Sequence, residues 1–130
     1  MTVLVACNAS PHGDAALRAG IAEASRRRLP LSVLVLNPRG DDDGVPEPLA
    51  GRLADLPEGL HLEPVTFREK DAEPADAILD AAEAAGATLV VVGARKRSSL
   101  GTFVMGTTTQ RVLLDASVPV LVVKDVYDQP

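Results

Sequence analysis

Apolar residues along the chain alternate between short continuous runs and longer stretches in which they recur every three to four positions. The short runs are rich in valine and leucine, which is typical of strands buried on both faces of a sheet. They are Thr2–Ala6, Leu31–Leu36, His61–Arg68, Leu89–Val92 and Val118–Val123. The third run alternates, and its Pro64 lacks the N–H that a sheet ladder needs, so we expect an edge strand there.

Four helix-like stretches separate these runs, and they begin at Pro11, Leu49, Pro74 and Thr107. The first has the strongest start signal, because Ser10 is a favoured N-cap residue and proline is favoured in the first helical turn. The third has Gly86 as its stop signal. The second, near Leu49–Leu56, is short and follows a polar stretch rich in glycine and proline. The chain therefore predicts strands and helices in alternation.

Alternating strands and helices favour a mostly parallel sheet with helices on both faces, since right-handed crossovers place the helices above and below it. We therefore predict a three-layer, doubly wound α/β fold, formed as a single domain over residues 1–130. A ligand of such a fold binds beyond the carboxyl ends of the strands. The ends that matter here are at Ala6–Asn8, Leu36–Asn37 and Val92–Gly93.

Composition excludes several classes of function. The net charge is −5, and the chain has one tyrosine, two phenylalanines and no tryptophan, so neither a basic field nor an aromatic platform indicates binding to nucleic acid. The N-terminal apolar run Val3–Cys7 is too short for a signal peptide or a membrane span, so we expect a cytoplasmic protein without membrane contact. One cysteine and two histidines predict no internal disulfide and no zinc site.

The segment between the fourth and fifth strands holds the candidate chemistry. Glycines at 93, 101 and 106 precede threonines at 107 to 109, where a helix begins. Free N–H groups at a helix N-terminus, the positive end of its dipole and nearby hydroxyls attract anions. The same loop contains the cations Arg95, Lys96 and Arg97. The pattern therefore predicts a phosphate site.

The same residues resemble the universal stress protein family. Its nucleotide-binding members carry a glycine, two residues, a second glycine, nine residues, and then glycine followed by serine or threonine, ahead of a strand of the type VPVLVV. Here Gly93 matches the first glycine and Gly106-Thr107 the final pair, whereas Lys96 replaces the second glycine. The resemblance extends over essentially the whole chain. It implies five parallel strands in the order 3-2-1-4-5, an adenine nucleotide alpha hydrolase-like fold, and a homodimer formed through the last strand, Val118–Val123.

The resemblance also implies where ATP or another adenine nucleotide would be held. The adenine contacts would fall on the backbone of Leu36, Ala6 and Cys7. The phosphate contacts would fall on Gly93, Arg95, Lys96, Gly106, Thr107 and Thr108. The family commonly has an acidic residue at the position of Asn8, where it holds the ribose or a divalent metal, so the amide weakens the case for Mg²⁺. Little or no hydrolysis is expected, since hydrolysis needs a positioned base and usually a metal.

Lys96 leaves alternative hypotheses open. Glycine in such a loop provides a positive φ or a close approach of backbone to phosphate, and lysine provides neither, although its ammonium group can neutralise phosphate charge. In the first hypothesis the protein is a dimeric, nucleotide-binding regulator of a stress response and not an enzyme. In the second the site is closed and the dimer acts through contacts with other proteins. Binding of another anion, such as a cyclic nucleotide, is a third.

Several other residues have plain structural interpretations. Cys7 is expected to be a small buried hydrophobe, and Asp41–Asp43 a solvated turn. His12 and His61 are expected to be surface residues rather than catalytic ones. The threonines at 107 to 109 either cap the fourth helix alone or cap it and also bind phosphate.

Overall fold

A computed structural model describes residues 1–38, 44–94 and 106–124 of the chain. Strands and helices alternate through these residues, as the sequence predicts. The strands are β1 Thr2–Cys7, β2 Leu31–Val35, β3 Thr66–Phe67, β4 Ala87–Ala94 and β5 Val120–Lys124. The helices are α1 Pro11–Arg27, α2 Leu49–Ala54, α3 Pro74–Ala85 and α4 Thr107–Asp115.

The five strands form one parallel sheet in the order β3-β2-β1-β4-β5. The central strand β1 is buried along its whole length, as a strand covered on both faces must be. One apolar cluster joins β1, β2 and β4 to α1, and a second joins the opposite face to α3 and to Val112 of α4. The predicted doubly wound fold and strand order are therefore confirmed.

Local sequence signals explain where α1 and α3 begin and end. Ser10 caps α1, because its hydroxyl accepts a hydrogen bond from the N–H of Gly13 at 3.1 Å. Glu73 caps α3 through its carboxylate, which accepts from the N–H of Asp76 at 3.1 Å. Gly86 ends α3 in the left-handed conformation, with φ of 60°, where glycine is favoured. The predicted start of α1 and both predicted ends of α3 are confirmed.

The third strand is shorter than predicted. Only Thr66–Phe67 forms a strand, at the edge of the sheet beside β2, and a separate bridge joins Leu62 to Leu31. The predicted strand over His61–Arg68 is therefore wrong in extent, although its edge position is confirmed. Pro64 separates the two paired pieces, and a proline has no N–H with which to continue the ladder.

Two other boundaries differ from those predicted. Strand β5 starts at Val120 instead of Val118, because Pro119 contributes only its carbonyl, which accepts from the N–H of Val90 at 3.1 Å. Helix α2 ends two residues before the predicted Leu56, where the N–H of Asp55 turns back to the carbonyl of Arg52 at 3.2 Å. The described helices are all too short or too polar to cross a membrane.

Candidate functional site

A cleft of about 480 Å³ opens beyond the carboxyl ends of β1, β2 and β4, beside the start of α4. This is the edge where parallel sheets of this type bind ligands. Eight predicted site residues line it: Ala6, Cys7, Asn8, Leu36, Gly93, Gly106, Thr107 and Thr108. The other two, Arg95 and Lys96, lie outside the described residues, as do Arg97, Gly101 and Asp41–Asp43.

The floor of the cleft is formed by Ala6, Cys7, Val92 and Gly93. Cys7 is only 1% exposed, which confirms its interpretation as a small buried hydrophobe. Burial, assisted by the negative charge of Asp14, raises the pKa of the Cys7 thiol to about 12. The thiol is therefore protonated at neutral pH, and protonated thiols are poor nucleophiles and poor metal ligands.

Gly93 is required by packing within the floor. A Cβ atom at this position would stand 2.3 Å from the backbone oxygen of His12, at the start of α1. Real contacts are never this short, and backbone atoms cannot move aside as a flexible side chain can. The first glycine of the sequence motif is therefore explained by the approach of α1 to β4.

The rim of the cleft is formed by Gly106, Thr107 and Thr108, and it differs from the floor in how closely other residues pack against its glycine. Gly106 is the N-cap of α4 with an ordinary φ of −68°, and a Cβ added there would meet no atom of the described residues within 4 Å. No side chain caps the helix within the described residues. The N-terminal amides of α4 therefore face the cleft without a side-chain partner there, in the arrangement that favours an anion.

The threonines of α4 do not cap it, so that interpretation is wrong. They lie inside the first turn, after the N-cap. Thr109 is nearly buried, and its hydroxyl donates to the carbonyl of Gly93 at 3.4 Å, joining the rim to the floor. Thr107 is exposed and Thr108 is half-buried, and both line the cleft.

Asn8 is held in one orientation by Ser10. Its side-chain oxygen accepts hydrogen bonds from the backbone N–H of Ser10 at 3.1 Å and from the Ser10 hydroxyl. The amide oxygen is thereby engaged, and the NH₂ group is the part of Asn8 left to serve a ligand. At this position the cleft donates hydrogen bonds, whereas an acidic residue would accept them.

The two histidines differ in their surroundings. His12 is half-buried and lines the cleft, with its ring Nδ1 2.8 Å from the Ser10 hydroxyl. His12 thus lies at the surface of the cleft beside the start of α1, in agreement with the expected surface position. His61 is exposed on the far side of the chain, which confirms the expectation for that residue.

Sequence reasoning missed Arg68, which lines the cleft just beyond β3. Its Nε donates to the carbonyl of Leu36 at 2.9 Å, and its Nη1 donates to the carbonyl of Ala72 at 2.8 Å. The carboxyl ends of all parallel strands meet at one edge, so the end of the third strand was a signal of equal value to the others. Asn37, which follows the carboxyl end of β2, also lines the cleft.

The backbone of Leu36, implied as an adenine contact, already makes two hydrogen bonds. Its N–H donates to the carbonyl of Cys7 at 2.7 Å, and its carbonyl accepts from Arg68. The N–H is thus used within the sheet, while the carbonyl retains its second lone pair. Arg68 and Leu36 therefore lie together at this end of the cleft.

The described residues do not fit a Mg²⁺ site. None of the cleft-lining residues among them is Asp or Glu, although Mg²⁺ prefers carboxylate oxygen. No group of three or more His, Cys, Asp or Glu side chains converges anywhere in residues 1–38, 44–94 and 106–124.

Comparison with known proteins places this architecture in a family. A universal stress protein from Mycolicibacterium smegmatis is 35% identical over 127 residues, covering 94% of this chain and 96% of that protein. Two solved structures share the fold over nearly the whole of both chains. One, the universal stress protein from Archaeoglobus fulgidus in complex with dAMP, is 24% identical with a TM-score of 0.62, covering 95% of this chain and 98% of that one.

The other is a universal stress protein in complex with cAMP, 22% identical with a TM-score of 0.63, covering 96% of this chain and 97% of that one. A family model, that of the universal stress protein family, matches residues 1–124. With the predicted strand order present and the motif residues gathered at one cleft, the chain belongs to the universal stress protein family.

Proposed function

We propose that this chain is a regulatory domain that binds an adenine nucleotide, with ATP the first candidate, in the cleft beside α4. One observation carries the proposal: the start of α4 has no side-chain cap within the described residues, and it opens onto a nucleotide-sized cleft at Gly106, a glycine that neither its φ nor any described neighbour requires. A glycine that is free of both steric and φ constraints is explained by the approach of a ligand.

The chemistry of the cleft supports an anionic ligand. The chain as a whole carries a net charge of −5, yet the described residues around the cleft include Arg68 and no carboxylate. The two structurally similar proteins in complex with dAMP and cAMP support an adenine nucleotide in particular. In our proposal the phosphate lies at the N-terminus of α4, and Lys96 neutralises part of its charge.

We propose binding without significant turnover, so that the nucleotide acts as a signal and not as a substrate. Hydrolysis needs a group that orients the attacking water, usually with a metal. Among the described residues the cleft offers no carboxylate for either task, and Asn8 offers its NH₂ group. Binding is therefore expected to need no Mg²⁺. A cytoplasmic location remains the expectation drawn from the sequence.

The working unit is proposed to be a homodimer formed through the last strand. Strand β5 lies at the edge of the sheet, and within the described residues it pairs only with β4. An unpaired apolar edge is a template for pairing with a second copy. Leu121 in this strand is 37% exposed and Leu114 of α4 is 82% exposed. These exposed leucines favour a surface that meets protein, either the second copy or another partner.

The first experiment is mass analysis of small molecules released by denaturing freshly purified protein, followed by calorimetric titration with ATP in the presence and absence of Mg²⁺. We expect released adenine nucleotide or saturable micromolar binding that does not depend on Mg²⁺. Absence of both in folded protein would contradict the proposal.

The Lys96→Gly variant separates the proposal from the alternative of a closed site. If Lys96 neutralises phosphate, the variant binds ATP at least about tenfold more weakly than the wild type, since charge-assisted hydrogen bonds contribute about 1.5–3 kcal/mol. If the wild type binds nothing and the variant binds ATP, Lys96 closes the site. The protein then acts through its surface.

A further inference from the structure

The carboxyl ends of the strands follow one another across the cleft in a fixed order. Starting from α4, the ends are those of β4 at Gly93, β1 at Asn8, β2 at Leu36 and, last, β3 with Arg68 just beyond it. The ends of β4 and β3 are separated by three strand spacings of about 4.8 Å each, which amount to about 14 Å. A ligand whose phosphate lies at α4 therefore presents its other end to Arg68.

The guanidinium of Arg68 is anchored with part of its donor capacity left over. Its Nε and Nη1 are held by backbone carbonyls of Leu36 and Ala72, while its Nη2 makes no hydrogen bond within the described residues. No acidic side chain of those residues pairs with it. An arginine fixed by carbonyls and lining a cleft is a pre-organised hydrogen-bond donor.

Neighbouring groups at this end of the cleft also present donors. The side-chain oxygen of Asn37 accepts from the backbone N–H of Ala9 at 3.1 Å, so its NH₂ group is the part left to serve a ligand. The carbonyl of Leu36 already accepts from Arg68. A ligand group with acceptor atoms therefore finds partners here more readily than a group that only donates.

We propose that Arg68 is a specificity-determining residue, whose guanidinium donates a hydrogen bond to an acceptor atom of the bound purine base. The cleft then recognises purine nucleotides through N3 or N7, the ring nitrogens that are acceptors in both adenine and hypoxanthine, and it does not require the 6-amino group of adenine. Arginine is well suited to reading acceptor atoms on a purine edge. This inference rests on the proposed nucleotide binding and adds the part of the ligand that is read.

The test is calorimetric titration of AMP and inosine monophosphate against the wild type, Arg68→Met and Arg68→Lys. Methionine keeps an apolar stem without donors, and lysine keeps a cation. Inosine monophosphate, which has a carbonyl in place of the 6-amino group, is expected to bind the wild type at least as tightly as AMP. The Arg68→Met variant is expected to bind both about tenfold more weakly, and Arg68→Lys to recover part of the loss.

A ligand-side experiment separates recognition from a purely structural role, because Arg68 also joins Leu36 to Ala72. We use the 1-deaza, 3-deaza and 7-deaza analogues of AMP, each of which lacks one ring-nitrogen acceptor. The 3-deaza or the 7-deaza analogue is expected to bind the wild type about tenfold more weakly than AMP but to match AMP in Arg68→Met, and the 1-deaza analogue serves as the control. A structural role alone would weaken AMP and all three analogues by the same factor.

The possible failures are distinguishable. If AMP binds but inosine monophosphate is more than tenfold weaker, or if no analogue behaves differently in the variant, the role of Arg68 is overturned and the proposed nucleotide binding stands. If no purine nucleotide binds the folded wild type, the nucleotide proposal and this inference are overturned together.

Discussion

The floor and the rim of the cleft contain glycines from the same sequence motif, yet the two glycines have different causes. Gly93 in the floor leaves no room for a Cβ, which would stand 2.3 Å from the backbone of His12, whereas a Cβ on Gly106 in the rim would meet nothing within 4 Å. The floor is therefore determined by packing. No described residue places that constraint on the rim, and in our proposal a ligand explains its composition. A motif position thus gains meaning only when its surroundings are known.

The largest predicted effect tests the floor. Gly93→Ala is expected to lower the free energy of unfolding by about 3 kcal/mol, because the added methyl group overlaps backbone atoms of α1. Urea denaturation followed by circular dichroism measures the loss. A variant as stable as the wild type would show that α1 adjusts freely, and the distinction between the two glycines would fail.

A second prediction concerns the buried thiol of the floor. The folded-state pKa of Cys7 is raised from 9.0 to about 12, so the unfolded chain loses this proton first. The contribution of the protonated Cys7 thiol to the free energy of unfolding is therefore fully present below about pH 9. It is lost progressively as the pH rises toward 12. We expect a loss of about 2 kcal/mol between pH 8 and pH 10.5.

The matched control is Cys7→Ala, which removes the titrating group. The urea midpoints of the wild type and of Cys7→Ala are compared at several pH values from 8 to 10.5. The difference between the two midpoints removes the effect of other titrating groups, which both proteins share. Parallel pH profiles for the two proteins would rule out the burial account of Cys7.

The rim is tested by Gly106→Val, with Gly106→Ala as a smaller step. Valine is a poor N-cap residue, so a stability loss of up to about 1 kcal/mol is expected. Affinity for a phosphate ligand is expected to fall at least tenfold, because the side chain occupies the approach to the α4 amides. Calorimetry measures the affinity and urea denaturation the stability. If the Gly106→Val variant binds the phosphate ligand as tightly as the wild type does, the phosphate does not lie at the start of α4.

Ser10 adjoins the cleft between the lining residues Asn8 and His12 in the chain, where it caps α1 and also orients Asn8. Ser10→Ala is expected to lower the free energy of unfolding by about 1 kcal/mol through loss of the cap. Ser10→Asp keeps a capping oxygen and is expected to retain most of the stability. Thermal unfolding of the wild type, Ser10→Asp and Ser10→Ala measures the order of their stabilities. If the aspartate variant is as unstable as the alanine variant, the side-chain cap is not the cause.

Much of the fold could be predicted because the strongest signals are local. Ser10-Pro11, Pro74 and Gly86 mark helix ends through their own backbone preferences, and the apolar runs mark buried strands. The errors in strand extent occur at Pro64 and Pro119, where proline interrupts pairing, because a ladder depends on the partner strand as well as on the run itself.

The candidate site was less accessible to sequence reasoning. The motif directed attention to Gly93 and Gly106 but did not show that one is fixed by His12 and the other is free. Arg68 stands far from the motif in the chain, and only the sheet topology brings it to the same cleft as α4. Contacts made by elements distant in sequence are what the pattern of residues leaves out.

The central claim is that the start of α4 receives a phosphate, and the most direct measurement compares adenosine with AMP. Calorimetric affinities of both compounds are measured for the wild type and for Gly106→Val, without Mg²⁺. The account predicts that AMP binds the wild type at least tenfold more tightly than adenosine and that this ratio falls toward one in the variant. Equal affinities of adenosine and AMP for the wild type would contradict it.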